Sequence, residues 1–269
     1  SDFRLKVFQS VAKNLSFTKA SQELFVSQPA ITKHIQELEA TYQTRLFDRQ
    51  GSKISLTESG RLLLEHCERI LEDYKRLEYE MHLLHNEYIG ELKLGASTTI
   101  AQYVLPPLLG SFIGKFPQVN LSLLNGNSRE IEAALQEHRI DLGLVEGVFR
   151  LPNLKYTTFL EDELVAVVHS KSRLQLPEEI TPQDLPAIPL VLRERGSGTL
   201  DVIERSLQKH GVKLSSLHVL MYLGSTESIK LFLENSDCMG IVSIRSICKE
   251  LAAGTFRVVE IKDMPMLRD

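Results

Sequence analysis

The clearest pattern in the chain is a narrow stripe of apolar residues in a highly charged segment from Thr57 to Tyr88. Successive apolar positions are separated alternately by four and three residues, so the stripe recurs about every 3.5 residues. It consists of Leu63, Cys67, Ile70, Tyr74, Leu77, Met81, Leu84 and Tyr88. Such a period keeps one seam facing a partner helix and favours a left-handed supercoil.

The same segment predicts one long helix over residues 58–88. Glycine and proline are absent between Arg61 and Tyr88, and Thr57 is a suitable N-cap. A helix of this length would span roughly 46 Å. We interpret residues 58–89 as a linker helix that pairs two copies of the chain. The alternative is a helix lying on its own globular core, which usually has a wider apolar stripe.

The segment before this helix, residues 1–57, predicts three short helices. Phe3, Val7, Phe8 and Val11 share one helical face, and Asn14 is a plausible end for the first helix. Two more helices are predicted after suitable N-caps, from Phe17 to Leu24 after Ser16 and from Gln28 onward after Ser27. The buried face of the third helix is expected to consist of Ile31, Ile35 and Leu38. A tight turn between the last two helices makes a helix-turn-helix pattern.

The exposed face of the third helix has side chains suited to the major groove of DNA. Glutamine can pair with adenine, and lysine can reach guanine or phosphate. This face would present Ser27, Gln28, Thr32, Lys33 and Gln36. Residues 49–53 form a charged turn between two short apolar segments, which predicts a two-stranded wing. We expect Arg49 and Lys53 to face the DNA backbone or the minor groove.

The whole chain has a formal net charge of -4, which does not indicate DNA binding. Only the distribution of charge along the chain supports DNA binding by the first 57 residues. Residues 1–57 have a net charge of +3 and residues 58–90 a net charge of -4. A basic head on an acidic stalk is compatible with DNA at one end.

The run from Phe17 to Glu39 resembles the LysR-type transcriptional regulators, as does Arg45–Arg49 followed by Leu56–Gly60. The resemblance implies a winged helix-turn-helix, a pairing linker helix and a C-terminal effector domain, usually assembled as a tetramer. It implies DNA contacts at Ser27, Gln28, Pro29, Thr32, Lys33 and Arg49. Double-stranded DNA is then the main partner, RNA polymerase a further candidate, and the function a sequence-specific transcriptional regulator.

From Gly90, the expected hinge, predicted strands and helices alternate, which favours an α/β fold with parallel strands and crossover helices. The predicted strands are Leu92–Gly95, Val119–Leu124, Asp141–Val145, Glu163–Val168, Pro189–Arg193, Val219–Leu223 and Gly240–Ser243. The predicted helices are Ile100–Phe116, disturbed at its prolines, Ser128–His138, Thr199–His210 and Thr226–Asn235. We assign residues 90–161 to a first lobe and residues 162–263 to a second. Val258 to Met264 is the expected return, and residues 264–269 would lead back toward the first lobe.

Small polar residues follow several of these strands, where ligands bind in such folds. Hydroxyls and free amides at helix N-termini suit a carboxylate, sulfate or phosphate. The alternative at each loop is a residue that only caps its own helix. The candidate effector residues are Ser97, Thr98, Thr99, Asn127, Ser128, Glu146, Ser197, Thr199 and Thr226. Glu146 would oppose a purely anionic ligand, and is expected to meet an ammonium group or to form an ion pair.

The family resemblance implies an effector domain like a type 2 periplasmic binding protein, with a small metabolite between its two lobes. Members usually return to the first lobe for a further strand and helix, which this sequence does not contain.

Other functions find less support. The cysteines lack metal-ligand spacing and the histidines lack acidic partners at metal or triad spacing, so we predict no metal site. The sequence has no nucleophile elbow, no phosphate loop with lysine and no dinucleotide fingerprint, so we predict no enzyme activity and no cofactor. Cys238 and Cys248 are expected to be buried rather than a redox switch. A transport component would leave the first 90 residues unexplained. The chain has no apolar run long enough to span a membrane, and we expect a cytoplasmic protein.

Overall fold

The computed structural model describes residues 3–269. Two compact units make up the chain, one that ends at Ile89 and one that begins at Gly90. The first unit contains the predicted head and the linker helix. The second unit contains the two predicted lobes.

Three helices form most of the head: α1 (Phe3–Asn14), α2 (Phe17–Leu24) and α3 (Gln28–Tyr42). Ser16 and Ser27 cap α2 and α3 as predicted, because their hydroxyls accept hydrogen bonds from the amides of Lys19 and Ala30. Local capping chemistry therefore fixes where both helices begin. Their apolar faces meet in one buried cluster that includes Val7, Phe8, Val11, Ala20, Ile31, Ile35 and Leu38.

The predicted wing is an antiparallel pair of strands, β1 (Phe47–Gln50) and β2 (Lys53–Leu56). Gly51 lies in the turn with φ +63°, a conformation that glycine adopts without strain. Leu46 and Phe47 are buried in the head core, which attaches the wing to the helices.

The linker helix, α4, runs from Glu58 to Leu83 and is therefore shorter than predicted. It begins as expected, because the Thr57 hydroxyl accepts from the Gly60 amide at 2.9 Å. The chain leaves the helix after Leu83, and Asn86 adopts a left-handed φ of 56°. The apolar stripe continues beyond this point, so periodicity alone overestimated the helix length.

In the second unit, the first lobe is a three-stranded parallel sheet of order β4-β3-β5. Its elements are β3 (Gly90–Ser97), α5 (Thr98–Tyr103), α6 (Leu105–Lys115), β4 (Val119–Gly126), α7 (Ser128–Gln136) and β5 (Leu142–Leu144). The predicted helix over 100–116 is two helices separated at Val104, because prolines at the start of α6 favour a new helix rather than a continuous one.

The second lobe contains a larger sheet of order β7-β11-β6-β10-β8-β9, with β12 also paired to β6. Its strands are β6 (Asp162–His169), β7 (Glu179–Ile180), β8 (Leu190–Arg193), β9 (Val219–Leu223), β10 (Met239–Ser243), β11 (Phe256–Ile261) and β12 (Met266–Arg268). Its α-helices are α8 (Gly198–Gln208), α9 (Thr226–Asn235) and α10 (Cys248–Ala252). Short 3-10 helices span Pro182–Ala187, Leu214–Ser216 and Ile244–Ser246.

Two features of this sheet differ from the predicted topology. The sheet is mixed rather than parallel, because β6 runs antiparallel to β10, β11 and β12. The predicted return at Val258–Met264 is instead largely β11, a strand of the second lobe. Residues 264–269 were predicted to lead back toward the first lobe, but residues 266–268 instead pair with residues 162–164 of β6, in the sheet of the second lobe. Strand pairing across about 100 residues decided this path, and local periodicity does not encode it.

The junction of wing and linker helix generates a stability prediction at Gly60. An alanine Cβ there would lie 2.2 Å from the carbonyl oxygen of Leu46, a backbone atom that cannot move cheaply. We expect Gly60→Ala to destabilise the chain by about 1–3 kcal/mol, the cost of overpacking. Urea unfolding followed by circular dichroism measures this.

Gly110→Ala is the matched control, because it also changes a helical glycine but meets no atom within 4 Å. It should stabilise α6 by about 0.5–1 kcal/mol. Equal effects from both substitutions would contradict the packing at Gly60.

Candidate nucleic-acid interface and effector cleft

The third helix of the head has two chemically different faces. Ile31, Ile35 and Leu38 are buried on one side. On the other side, Gln28, Pro29, Lys33 and Gln36 are exposed, and Ser27 is exposed at the cap. Thr32 is half-buried, with its hydroxyl donating to the Gln28 carbonyl oxygen at 3.1 Å. The structure therefore brings the predicted recognition residues together at the solvent side of one rigid helix.

The wing brings two further basic residues close to the head. Arg49 and Lys53 are both exposed near the turn between β1 and β2. The Arg49 guanidinium lies over the ring of Phe17, 4.8 Å from its centre, a cation–π contact that orients the side chain. An exposed polar helix with cations on an adjacent wing has the chemistry to contact base edges and phosphates.

The apolar stripe of α4 has two environments. Its first part is packed in the head: Cys67 is fully buried, and its thiol donates to the Leu5 carbonyl oxygen at 3.2 Å. Burial raises the pKa of this thiol to about 11. Leu63 is partly buried against the same core. The remaining stripe residues of this unit are exposed: Ile70, Tyr74, Leu77, Met81, Leu84 and Tyr88. In the described unit, large apolar side chains therefore stay uncovered along the second half of the helix and just beyond its end.

In the second unit, the loops that follow the parallel strands converge around Glu146. Its carboxylate accepts from the Ser97 hydroxyl at 2.9 Å, and its carbonyl oxygen accepts from the Ser128 hydroxyl at 2.8 Å. All three residues are buried. Thr98, also buried, donates to the Gly126 carbonyl oxygen at 3.4 Å. Ser97, Ser128 and Glu146 thus form one hydrogen-bonded network in the first lobe, beside the separate bond of Thr98.

The second lobe closes onto this network. The hydroxyls of Thr99 and Thr226, from opposite lobes, are 3.5 Å apart, and both residues are buried. Gly198 packs so closely that a Cβ there would lie 1.9 Å from the carbonyl oxygen of Glu146. The Gly196 carbonyl oxygen accepts from the Arg129 amide at 3.4 Å. We call the space bounded by these loops the effector cleft.

Capping accounts for some of the predicted cleft residues but not for others. Asn127 and Ser197 do cap α7 and α8, since their side chains accept from the amides of Glu130 and Leu200. Ser225, rather than Thr226, caps α9. Ser97 precedes α5 but makes no side-chain cap bond. Four of the predicted hydroxyls therefore do not cap a helix but bond elsewhere. Ser97 donates to Glu146, Thr199 accepts from Arg268, and Thr99 and Thr226 contact each other.

Arg268 is a cleft residue that the sequence reasoning missed. It is 4% exposed and donates to Asp162 Oδ2 at 2.8 and 3.0 Å and to Thr199 Oγ1 at 2.8 Å. Its guanidinium also lies 3.4 Å from Glu146 Oε1, across the lobes. The ion pair considered for Glu146 thus exists. A lone arginine near the end of the sequence gave no signal of this role.

A cavity of about 370 Å³ lies beside β5 of the first lobe, lined largely by apolar side chains. Among the predicted effector residues, only Thr99 and Glu146 contribute to its lining. Glu132, also on its wall, is buried, and this burial raises the pKa of its carboxyl despite a hydrogen bond with Tyr156. Most of the predicted cleft residues therefore lie away from this cavity.

The cysteine prediction was half right. Cys238 is buried, and burial raises the pKa of its thiol. Cys248 is exposed, contrary to expectation, because it begins α10 on the surface of the second lobe. Within residues 3–269, His, Cys, Asp and Glu side chains form no group of three suited to a metal ion. No helix in that range has the length and apolarity of a membrane span.

A winged helix-turn-helix joined to a two-lobed binding domain defines a ligand-responsive DNA-binding regulator. Residues 3–61 match the model of the bacterial regulatory helix-turn-helix proteins of the lysR family, and residues 85–269 match the LysR substrate binding domain. The chain belongs to the LysR family of transcriptional regulators, which are not enzymes.

Relatives and solved structures agree with this assignment. The HTH-type transcriptional regulator CysL of Bacillus subtilis is 30% identical over 98% of this chain and 87% of that protein. Full-length CbnR in complex with its target DNA has a TM-score of 0.61 at 24% identity, over 98% of this chain and 90% of CbnR. The regulatory domain of Synechocystis CcmR in complex with 2-PG has a TM-score of 0.58 at 27% identity, over 66% of this chain and 84% of that domain.

The buried charges of the cleft generate a stability prediction at Arg268. Replacing it with methionine leaves the buried Glu146 carboxylate without a cation and Asp162 with only the exposed Arg245. We expect Arg268→Met to lower the free energy of unfolding by about 3–5 kcal/mol, as when one partner of a buried pair is removed. Thermal and urea unfolding of the full chain measure the change.

Arg245→Met is the matched control, because Arg245 approaches the same Asp162 at 3.6 Å but is largely exposed. Its removal should cost less than about 1 kcal/mol. If both substitutions lower the free energy of unfolding by the same amount, the burial of Arg268 is not the source of the stabilisation.

Proposed function

We propose that this chain binds a two-part operator as a paired regulator and responds to a small anionic metabolite held in the effector cleft. The observation that carries the proposal is the exposed polar face of α3, which is backed by a fully buried apolar face. A helix fixed in this way can enter the major groove without unfolding its own core.

The proposed DNA contacts are Ser27, Gln28, Pro29, Thr32, Lys33, Gln36, Arg49 and Lys53. Exposure of the long polar side chains on α3 supports base readout by Gln28 and Lys33. The orientation of Arg49 over Phe17 supports a backbone or minor-groove contact from the wing.

Pairing is proposed to occur through the exposed half of the α4 stripe. A row of large apolar side chains on a single helix is unfavourable in water and is the usual mark of a protein contact. Two paired heads would read half-sites about 34 Å apart, one turn of DNA. The rival prediction, a helix that lies on its own core, is supported only for the first turns, up to Leu71.

A tetramer requires a second contact surface, and the effector unit offers candidates. Large apolar side chains are exposed on α6, β4, β9 and α9: Leu108, Ile113, Leu123, Leu124, Leu220, Met221, Tyr222 and Leu231. Self-association through this unit would join two dimers. We further propose a cytoplasmic location and RNA polymerase as a partner, as expected for a bacterial-type transcription regulator.

The proposed effector is a small metabolite with a carboxylate, sulfate or phosphate group, and no other cofactor is needed. The candidate contacts are Ser97, Thr98, Thr99, Asn127, Ser128, Glu146, Ser197, Thr199 and Thr226. The CcmR regulatory domain, which resembles this effector unit, was solved with 2-PG. Because Arg268 neutralises Glu146, that carboxylate does not exclude an anion.

Regulation would follow from lobe closure. A ligand that contacts both lobes favours the closed arrangement, in which Thr99 meets Thr226, by its differential affinity for that state. The closed effector units would then pack differently against one another and change the spacing of the paired heads.

The DNA proposal predicts the behaviour of two substitutions in α3. A preferred duplex is first selected from random sequences with the wild-type chain. Gln28→Ala and Lys33→Ala should each weaken binding to that duplex by about 1–3 kcal/mol, the value of a good base contact. Titrated gel shifts measure the loss.

Lys6→Ala is the control, because Lys6 is an exposed cation of α1 outside the proposed contact surface. It should retain specific binding. Unchanged affinity in both α3 variants would contradict the assignment of α3 as the reading helix.

The pairing proposal predicts that charge in the exposed stripe separates the subunits. Leu77→Glu combined with Met81→Glu should convert dimers or tetramers into smaller species, because carboxylates would be buried in an apolar contact. Light scattering after size-exclusion chromatography at micromolar concentration measures the mass.

Glu78→Ala combined with Glu80→Ala changes exposed residues between the stripe positions and should leave the assembly intact. A wild-type chain that is monomeric at this concentration would refute pairing through α4.

A further inference from the structure

Arg193, the last residue of β8, is a buried cation whose hydrogen bonding is incomplete. It is 1% exposed, and its Nη1 atom has no hydrogen-bond partner among the described residues. Its Nε and Nη2 atoms donate to the adjacent Glu194 at 3.0 and 3.2 Å. The N–H groups of a buried guanidinium normally all have hydrogen-bond acceptors. A buried Nη1 atom without an acceptor, inside a binding domain, therefore calls for an explanation.

The register of the sheet shows which way Arg193 faces. Arg193 pairs with Leu223 of β9 and lies two residues beyond Val191, so these three share one face of the sheet. Val191 and Leu223 pack in the same cluster as Ile229 of α9. α9 begins at Thr226, three residues after the Leu223 that pairs with Arg193, so the start of α9 lies near the carboxyl end of β8.

This position puts two positive groups together. The N-terminus of α9 presents the positive end of the helix dipole. Its Ser228 amide is capped by Ser225, and the Glu227 carboxylate in its first turn accepts from Tyr103 and Lys230 rather than from Arg193. A buried guanidinium beside this helix end is unfavourable unless an anion neutralises both. Glu194 pairs with the guanidinium from a side chain that is 29% exposed, so solvent screens their attraction, and Nη1 is left without an acceptor.

The same corner belongs to the effector cleft. Thr226 begins α9 and meets Thr99 of the first lobe. Gly196, three residues after Arg193, contacts Asn127 of the first lobe closely enough that a Cβ would lie 3.2 Å from its side-chain nitrogen. A ligand bound by Arg193 would therefore lie where the two lobes meet.

We infer that Arg193 binds the charged end of the effector, and that this end is a tetrahedral oxyanion with two negative charges, such as a sulfate or phosphate group. The guanidinium fork matches two oxygens of such a group, and the amides of α9 can bind a third. Glu194 competes for the guanidinium in the absence of ligand. The inference rests on the proposed function, because it specifies the effector of the same cleft.

The test uses calorimetric titration of the full-length chain with sulfate, inorganic phosphate and 2-PG in a chloride buffer. The wild-type chain should bind at least one of them. Arg193→Gln should weaken that binding by about tenfold or more, the loss expected for a charge-assisted bidentate contact. Arg195→Gln, an exposed arginine of the same loop, is the matched control and should bind like the wild type.

Glu194→Gln separates ligand binding from a purely structural ion pair. If Glu194 competes with the anion, this variant should bind the same anion more tightly, by several fold. A structural pair predicts lower stability and no gain in affinity. Circular dichroism and gel shifts on the selected duplex show whether Arg193→Gln folds. If it does not fold, the anion affinity of Glu194→Gln still tests whether Arg193 binds the anion.

The outcomes distinguish the two proposals. Equal anion binding by the wild type and Arg193→Gln overturns the role of Arg193 and leaves the anionic effector in place. Weaker binding by Glu194→Gln also overturns that role. If none of the three anions binds the wild type, the sulfate or phosphate end is wrong and the inference is overturned, whereas the proposed carboxylate class of effector is not tested by these probes.

Discussion

The buried carboxylate of Glu146 is the interaction on which the effector unit depends. A charge in this position is costly unless it is paired and hydrogen-bonded. Ser97 and Arg268 supply those bonds, while the backbone of the same residue contacts Ser128 and Gly198. One residue therefore holds the loops of both lobes together. The ion pair with Arg268 also explains how the acidic Glu146 is compatible with an anionic ligand, because the guanidinium offsets the charge of the carboxylate.

The linker helix combines two roles along one stripe. Up to Leu71, four of its apolar side chains (Leu63, Leu64, Cys67 and Leu71) pack against the core of the head, so the helix has a fixed direction where it leaves that head. Beyond Leu71, Tyr74, Leu77 and Met81 are exposed and available to a second copy. A rigid attachment at one end is what would allow pairing at the other end to set the spacing of two reading helices.

How much could be predicted depended on the range of the interactions. The N-caps at Ser16, Ser27 and Thr57 were correct because a cap involves residues three positions apart. The cleft loops were found because parallel strands end at the same edge of a sheet. Arg268 and Arg193 were missed as site residues, since their roles depend on partners and burial that no local pattern reports. The ligand and DNA contacts themselves remain predictions.

The sequence by itself determined the starts of the head and linker helices, the exposed polar face of α3 and the alternation of strands and helices. Each of these follows from periodicity and capping, which act within a few residues, whereas the class of the protein came from the resemblance of residues 17–39 to a known family. Only the tertiary structure decided where α4 ends, that β11 and β12 both join β6, and which charges are buried together. Those outcomes depend on pairing between distant segments, where burial makes an uncompensated charge or an unpaired strand too unfavourable to persist.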